Sequence, residues 1–152
     1  MLSDRALARL TIVMPDAVVR LAWRSQSALY RSTAGRLGGR FGRGPVLLLT
    51  TTGRRSGEPR CTTVLYGKDG SRLVVVGSNT GSEKPPAWAL NLLANPGAEV
   101  QIGRKRTRVR AREFDGSEQT RLWQLMSEQY QGFDIYRTRT ARDLKVFLLD
   151  PL

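Results

Sequence analysis

The chain has 152 residues, 25 Lys plus Arg against 13 Asp plus Glu, a formal net charge of +12, one cysteine (Cys61) and no histidine. Without imidazole there is no Ser-His-Asp or Cys-His nucleophilic relay and no histidine metal ligand, and a lone thiol makes neither an internal disulfide nor a thiolate zinc site. Difficult chemistry would therefore rest on a bound group, and the charge favours an anionic client: nucleic acid, an anionic membrane surface, or a phosphorylated or carboxylated ligand.

The length suits one domain with a real core. Its apolar runs fall far short of the ~20 residues a membrane-spanning helix needs. The N-terminus carries Asp4, Arg5 and Arg9 and lacks the apolar stretch of a cleaved signal, so a cytoplasmic protein is expected.

Residues 1–44 read as an N-terminal helical segment divided by Pro15. After Asp16, the expected N-cap, the residues Val18, Leu21, Ala22, Ser25, Ala28 and Leu29 share one helical face. Arg20, Arg24 and Arg31 lie off that face. The favoured reading packs the stripe on the domain, the usual origin of such stripes. The other lays a basic amphipathic helix on the inner face of a membrane. Gly35–Gly44 holds five glycines among arginines and reads as a loop.

Strands are predicted at Pro45–Thr51 and Arg60–Tyr66. Asp69-Gly70 is a hairpin signal leading into Arg72–Val76. Pro86 opens a short helix through Trp88, Leu90 and Leu93, stopped at Asn95-Pro96-Gly97. Glu99–Ile102 and Lys105–Ala111 form a second strand pair. Asp115 or Ser117 would cap a helix reaching about Tyr130, with Leu122, Trp123 and Met126 inward, and Leu144–Leu149 is the last strand. Five or six antiparallel strands with two or three helices predict a small barrel-like sheet with helices against it.

Four features bear on chemistry. The turn Thr50-Thr-Thr-Gly-Arg-Arg-Ser-Gly-Glu-Pro-Arg60 combines two glycines, hydroxyls and three arginines. Those are the parts of an oxyanion cradle, although a solvated basic turn has the same composition. Gly77–Trp88 runs from a strand end through small polar residues to a helix start, suited either to reading ligand oxygens or to a plain connection with Trp88 in the core. Tyr130, Phe133 and Tyr136, spaced three apart, form a structural aromatic cluster or an apolar mouth with phenol donors. On a strand, Arg104, Arg106, Arg108, Arg110 and Arg112 share one face over roughly 27 Å. That row is read as a charged solvent face guarding a sheet edge, with no aromatics to stack on bases, so nucleic acid is disfavoured as a partner. Scattered carboxylates suggest no metal site.

The ordered set T-T-G-R-R-S-G-E-P-R at residues 51–60, D-G at 69–70, P-A-W-A-L-N-L at 86–92 and A-N-P at 94–96 resembles the deazaflavin-dependent nitroreductase family, in register from about Tyr30 to Pro151. The resemblance implies an α+β, mainly β fold: an antiparallel split β-barrel with flanking helices over residues 45–152, preceded by the 1–44 segment. It implies coenzyme F420, a deazaflavin with a phosphate and a polyglutamate tail; the alternatives are an FMN-binding split-barrel reductase and a non-catalytic protein that binds a polyanion or a membrane surface.

By that resemblance Arg54, Arg55, Ser56 and Arg60 hold the phosphate and acidic tail. Cys61, Thr62, Thr63, Val64 and Leu65 line the ring with Val76, Gly77, Ser78 and Asn79, and Ala87, Trp88 and Asn91 cover it. Tyr130, Phe133 and Tyr136 match an aromatic wall over the substrate. Hydride would pass to a quinone, nitroaromatic or activated enone, with Ser78, Tyr130 or Tyr136 donating to the acceptor oxygen. Leu65 and Phe133 stand where nitro-reducing relatives can carry tyrosine, and Asn79 where a basic residue can stand. These departures point away from bulky nitroimidazoles.

Overall fold

In the computed structural model, which describes residues 2–114 and 116–152, the apolar runs become the strands of a barrel. Its elements are β1 (Arg40–Phe41), β2 (Gly44–Thr52), β3 (Pro59–Asp69), β4 (Arg72–Val76), β5 (Gly97–Ile102), β6 (Lys105–Phe114) and β7 (Val146–Pro151). The order is β1-β2-β3-β4-β7-β6-β5, and β5 returns to pair with β2, so six antiparallel strands close and β1 is an appendage. Closure removes the edges that an open sheet would have to protect.

Alternation along β2 serves two cores. Leu47 and Leu49 face the barrel interior with Val64, Val75, Val100, Val109 and Phe147. Val46 and Leu48 face outward into a second core under the helices. Burial on both sides explains why this strand reads as an unbroken apolar run.

Among the described residues five α-helices accompany the barrel: α1 (Asp4–Val13), α2 (Asp16–Thr33), α3 (Ala87–Ala94), α4 (Gly116–Gln129) and α5 (Gly132–Arg139). Ala89 and Leu92 of α3 join the barrel-interior cluster. Helix α2 lies on β2 and β3, α4 on β3, β4 and β7, and α1 on α5. Leu122, Trp123 and Met126 face inward as expected.

Several expectations are corrected. The packed face of α2 is not the apolar stripe: Val18, Leu21 and Leu29 are 47 %, 65 % and 46 % exposed, while Ser27 and Tyr30 are buried. The inward side is chosen by specific hydrogen bonds. Ser27 Oγ accepts from the Thr63 amide at 3.1 Å. The Tyr30 hydroxyl donates to the Gln101 carbonyl at 3.1 Å and accepts from the Gly103 amide at 2.9 Å. Gln26 donates to the Gly38 and Arg40 carbonyls. A polarity pattern cannot see that these polar side chains have partners waiting on the barrel and on the segment leading into it.

Pro15, not Asp16, occupies the N-cap of α2, and its carbonyl accepts from Val18 and Val19. Ser3 caps α1, an element without a sequence signal strong enough to place it; its Oγ accepts from Ala6 at 3.2 Å. The Gly35–Gly44 loop contains the short strand β1. Tyr130 follows the end of α4 at Gln129, while Phe133 and Tyr136 belong to α5. Of the two expected caps of α4, Asp115 lies outside the described residues and Ser117 is inside the helix. The arginines of β6 do share an exposed face, with Val109 and Ala111 inward. They guard no edge, because β6 pairs with both β5 and β7.

Candidate active site

The turn between β2 and β3 builds its own shape. The Gly53 amide donates to the Glu58 carbonyl and the Gly57 amide to the Gly53 carbonyl, both at 2.8 Å. Ser56 Oγ accepts from the Glu58 amide at 3.1 Å and from the Arg60 guanidinium at 3.4 Å. Asn91, buried on α3, fastens the turn to the barrel. Its carbonyl oxygen accepts from the Arg54 amide at 3.1 Å and its amide donates to Thr51 Oγ1 at 3.0 Å.

Arg54, Arg55 and Arg60 are exposed. Among the described residues, the ion pairs involve Arg72, Arg112, Arg121 and Lys145, and none of the three turn arginines. A turn held by backbone, serine and asparagine therefore presents three guanidiniums with donors to spare. A fork of such donors matches phosphate and carboxylate oxygens.

Beyond this turn β3 overruns its neighbour. It pairs with β4 only from Tyr66 to Asp69, so residues 59–65 have β2 on one side and no β4 partner on the other. The expected ring-lining residues occupy this overhang, but their side chains alternate. Cys61 and Thr62 are half-buried at the open end. Thr63 is buried, with its amide and hydroxyl against Ser27 of α2. Val64 points into the barrel and Leu65 into the helix-side core. Ser27 could not be singled out from sequence, since its partner is 36 residues away.

Where β4 ends, Gly77 and Ser78 are buried and the chain enters a tight turn. Asn79, Thr80 and Gly81 have φ of 45°, 54° and 76°. Two successive non-glycine residues in the left-handed region carry about 1–3 kcal/mol of strain each, which persists only where surroundings enforce it. Glycine is required at 81: a Cβ there would meet the Tyr136 carbonyl oxygen at 2.4 Å. Ser78 is 8 % exposed, and among the described residues its hydroxyl has no hydrogen-bond partner. Among the described residues no buried side-chain polar atom lacks a partner, so this hydroxyl keeps some access to solvent and can donate to or accept from what enters there.

The turn leads to α3, whose first residue Ala87 is exposed. Trp88 is half-buried and meets Phe147 edge-on, with ring centroids 5.8 Å apart. Asn91, one helical turn later, is the residue that holds Arg54. Helix α3 thus bridges the two turns.

The three aromatics are core residues rather than an open mouth: Tyr130 is 0 % exposed, and Phe133 and Tyr136 are each 2 % exposed. A hydrogen-bond chain runs from Thr11 of α1 to the Tyr136 hydroxyl at 3.0 Å, and on to the Tyr130 hydroxyl at 3.1 Å. Burial first, and then Tyr136, push the Tyr130 phenol far above its usual range; burial also raises Tyr136. Both phenols remain protonated. A cleft of about 480 Å³ lies elsewhere, between α4 and the segment after α5, with Trp123, Arg137 and Arg142 in its wall. It touches none of the residues the sequence singled out for the cofactor.

The model of the family described as F420H(2)-dependent quinone reductase matches residues 22–151. An F420H(2)-dependent quinone reductase of Mycobacterium tuberculosis is 38 % identical over 130 residues, which cover 83 % of this chain and 87 % of the relative. A solved F420-H2-dependent reductase is 36 % identical, with a TM-score of 0.65 over 70 % of this chain and 94 % of its own. A solved domain-swapped dimer is 32 % identical, with a TM-score of 0.67 over 90 % of this chain and all of its own.

Proposed function

The chain belongs to the F420H2-dependent quinone reductase family, and on that premise we propose how its residues divide the work of reducing a quinone. The protein is an F420H2-dependent oxidoreductase with a split-barrel fold, and its acceptor is a small molecule. The observation that carries the site reading is the set of three exposed arginines without ion-pair partners on a self-ordered turn. Residues fit the cofactor there: its phosphate and carboxylates need several cations in one place, and a basic turn that merely solvated its charge would need no Asn91 anchor.

In this reading Arg54, Arg55, Ser56 and Arg60 bind the phosphate and tail. The open end of the β3 overhang, Cys61 and Thr62, faces the ring from one side, and Gly77, Ser78 and Asn79 from another. Ala87 and Trp88 exclude water at the start of α3. Bound reduced F420 supplies a hydride from C5 of its deazaflavin ring. Ser78 donates its hydroxyl proton in a hydrogen bond to the acceptor oxygen, where negative charge develops as hydride arrives. Tyr130 and Tyr136, sealed beneath α1, support that wall. The closing test is fluorescence titration of the purified protein with F420 and with FMN. F420 should bind and FMN should not; binding of FMN alone would overturn the assignment.

The inner face of an anionic membrane is the second element of the proposal. The exposed stripe Val18, Leu21, Ala22, Ala28 and Leu29 is flanked on α2 by Arg20, Arg24 and Arg31, and the chain carries +12. Apolar contact and charge complementarity together fit a lipid surface. Among the described residues no helix is long and apolar enough to cross a membrane, so attachment would be peripheral. Leu21→Glu with Leu29→Glu should cut co-sedimentation with phosphatidylglycerol vesicles at least tenfold at unchanged melting temperature. Equal sedimentation refutes lipid contact, and a dimer abolished by the same change would assign the stripe to a second copy.

A further inference from the structure

Arg142 was not among the residues the sequence brought forward. It follows α5 on an irregular segment, and its guanidinium is spent on a single stretch of backbone. Nε donates to the Ser82 carbonyl at 3.1 Å. Nη1 donates to the Gly77 carbonyl at 3.2 Å. Nη2 donates to the Ser78 and Ser82 carbonyls, both at 2.9 Å. The arginine is itself fixed, since its amide donates to Thr140 Oγ1 at 3.1 Å.

The carbonyls so gathered bracket the strained residues Asn79, Thr80 and Gly81. Two other contacts seat the same turn: the Gly77 amide donates to the Lys145 carbonyl at 2.9 Å, and Arg139 donates to the Thr80 carbonyl at 3.1 Å. Within the turn the Gly81 amide donates to the Ser78 carbonyl at 2.9 Å and the Ser82 amide to the Asn79 carbonyl at 3.0 Å; among the described residues, Arg142 is the side chain that joins Gly77 and Ser78 to Ser82. Among the described residues no carboxylate hydrogen-bonds its guanidinium; burial draws its pKa down from the ordinary value, and the nearby charge of Asp143 works against that. A half-buried cation without a bonded counter-ion is costly, and it is retained where its geometry is needed. Three carbonyls reached at once suit a guanidinium fork and do not suit the point-like ammonium of lysine.

We propose that Arg142 is a positioning residue for hydride transfer: it holds the 77–82 turn so that the Ser78 hydroxyl points at the acceptor. The proposal rests on the site reading above. It separates the residues that bind the cofactor's anionic part, which lie on the other turn, from one that sets only the reacting geometry. Misplacement of a reacting group by about 1 Å can cost on the order of 100-fold in rate.

The test compares wild type, Arg142→Ala and Arg142→Lys in single-turnover oxidation of F420H2 by menadione, with F420 affinity measured separately. Arg142→Ala should transfer hydride at least tenfold more slowly at saturating reactants, with F420 affinity changed less than threefold. Added methylguanidinium should restore the rate at least fivefold, and Arg142→Lys should stay slow. A rate within twofold of wild type overturns the proposal, as does a loss that methylguanidinium leaves untouched. Hydrogen exchange gives a readout independent of cofactor. The amides of residues 77–82 should exchange at least tenfold faster in Arg142→Lys, while those of residues 53–58 are unchanged; equal exchange in both turns overturns the positioning role. If the wild type binds no F420, the site reading fails, and the exchange result still decides whether Arg142 holds the turn.

Discussion

The turn at residues 53–60 and the turn at residues 77–82 both border the β3 overhang, both rely on glycine, and both involve arginine. They use it in opposite ways. In the first, the backbone is shaped by its own amides, Ser56 and Asn91, and the arginines are left with unspent donors. In the second, the backbone is strained and the arginine comes from 64 residues away to consume its donors on carbonyls. Free guanidinium edges mark a place for something else to bind, and consumed ones mark a place that must not move. Arginine count alone, high everywhere in this chain, distinguishes neither.

The largest expected effect tests the free side of that contrast. Arg55→Ala with Arg60→Ala should weaken F420 binding about 100-fold at low salt, on the scale of two lost charge-assisted hydrogen bonds. The loss should shrink as salt rises, because exposed charges are screened. Fluorescence titration at two ionic strengths measures both, and unchanged affinity would mean the turn is ordinary surface.

A smaller effect concerns arginines consumed by a carboxylate rather than by carbonyls. At the β3–β4 hairpin, Arg121 and Arg72 both hold Asp69. The Arg121 hydrogen bond, followed by that of Arg72, lowers its pKa from 3.8 to about 2. The folded pKa lies below the unfolded one, so the stabilisation is complete above about pH 4 and is lost as pH falls through 2. Asp69→Asn should lower the melting temperature at pH 7 by about 1–3 °C, the scale of an exposed ion pair in a domain of this size. The gap between the two proteins' melting temperatures should shrink below about pH 4 and close below about pH 2, and a gap that stays constant with pH would show the pairs contribute nothing.

The legibility of the chain followed the range of each interaction. β4 was read to the residue from Asp69-Gly70 and the apolar run after it, since a hairpin is a local event: Asp69 pairs with Arg72. The arginine turn and the start of α3 were readable for the same reason. The packed side of α2 was not, because the partners of Ser27 and Tyr30 lie on β3 and at the β5–β6 turn. The aromatic trio shows the same divide. Its spacing was visible, whereas its burial depends on α1, brought over it from the other end of the chain by Thr11.

By itself, then, the sequence determined the mainly β barrel, the absence of histidine chemistry, the arginine-rich turn and the likeness to F420-dependent reductases. Each of these is written in residue types at short spacing, where side-chain alternation and turn chemistry act directly. The tertiary structure decided which arginines are free, which strand residues remain reachable, and that Arg142 holds the Ser78 turn. Those outcomes depend on donors and acceptors meeting across many residues, and only a closed fold fixes such distances.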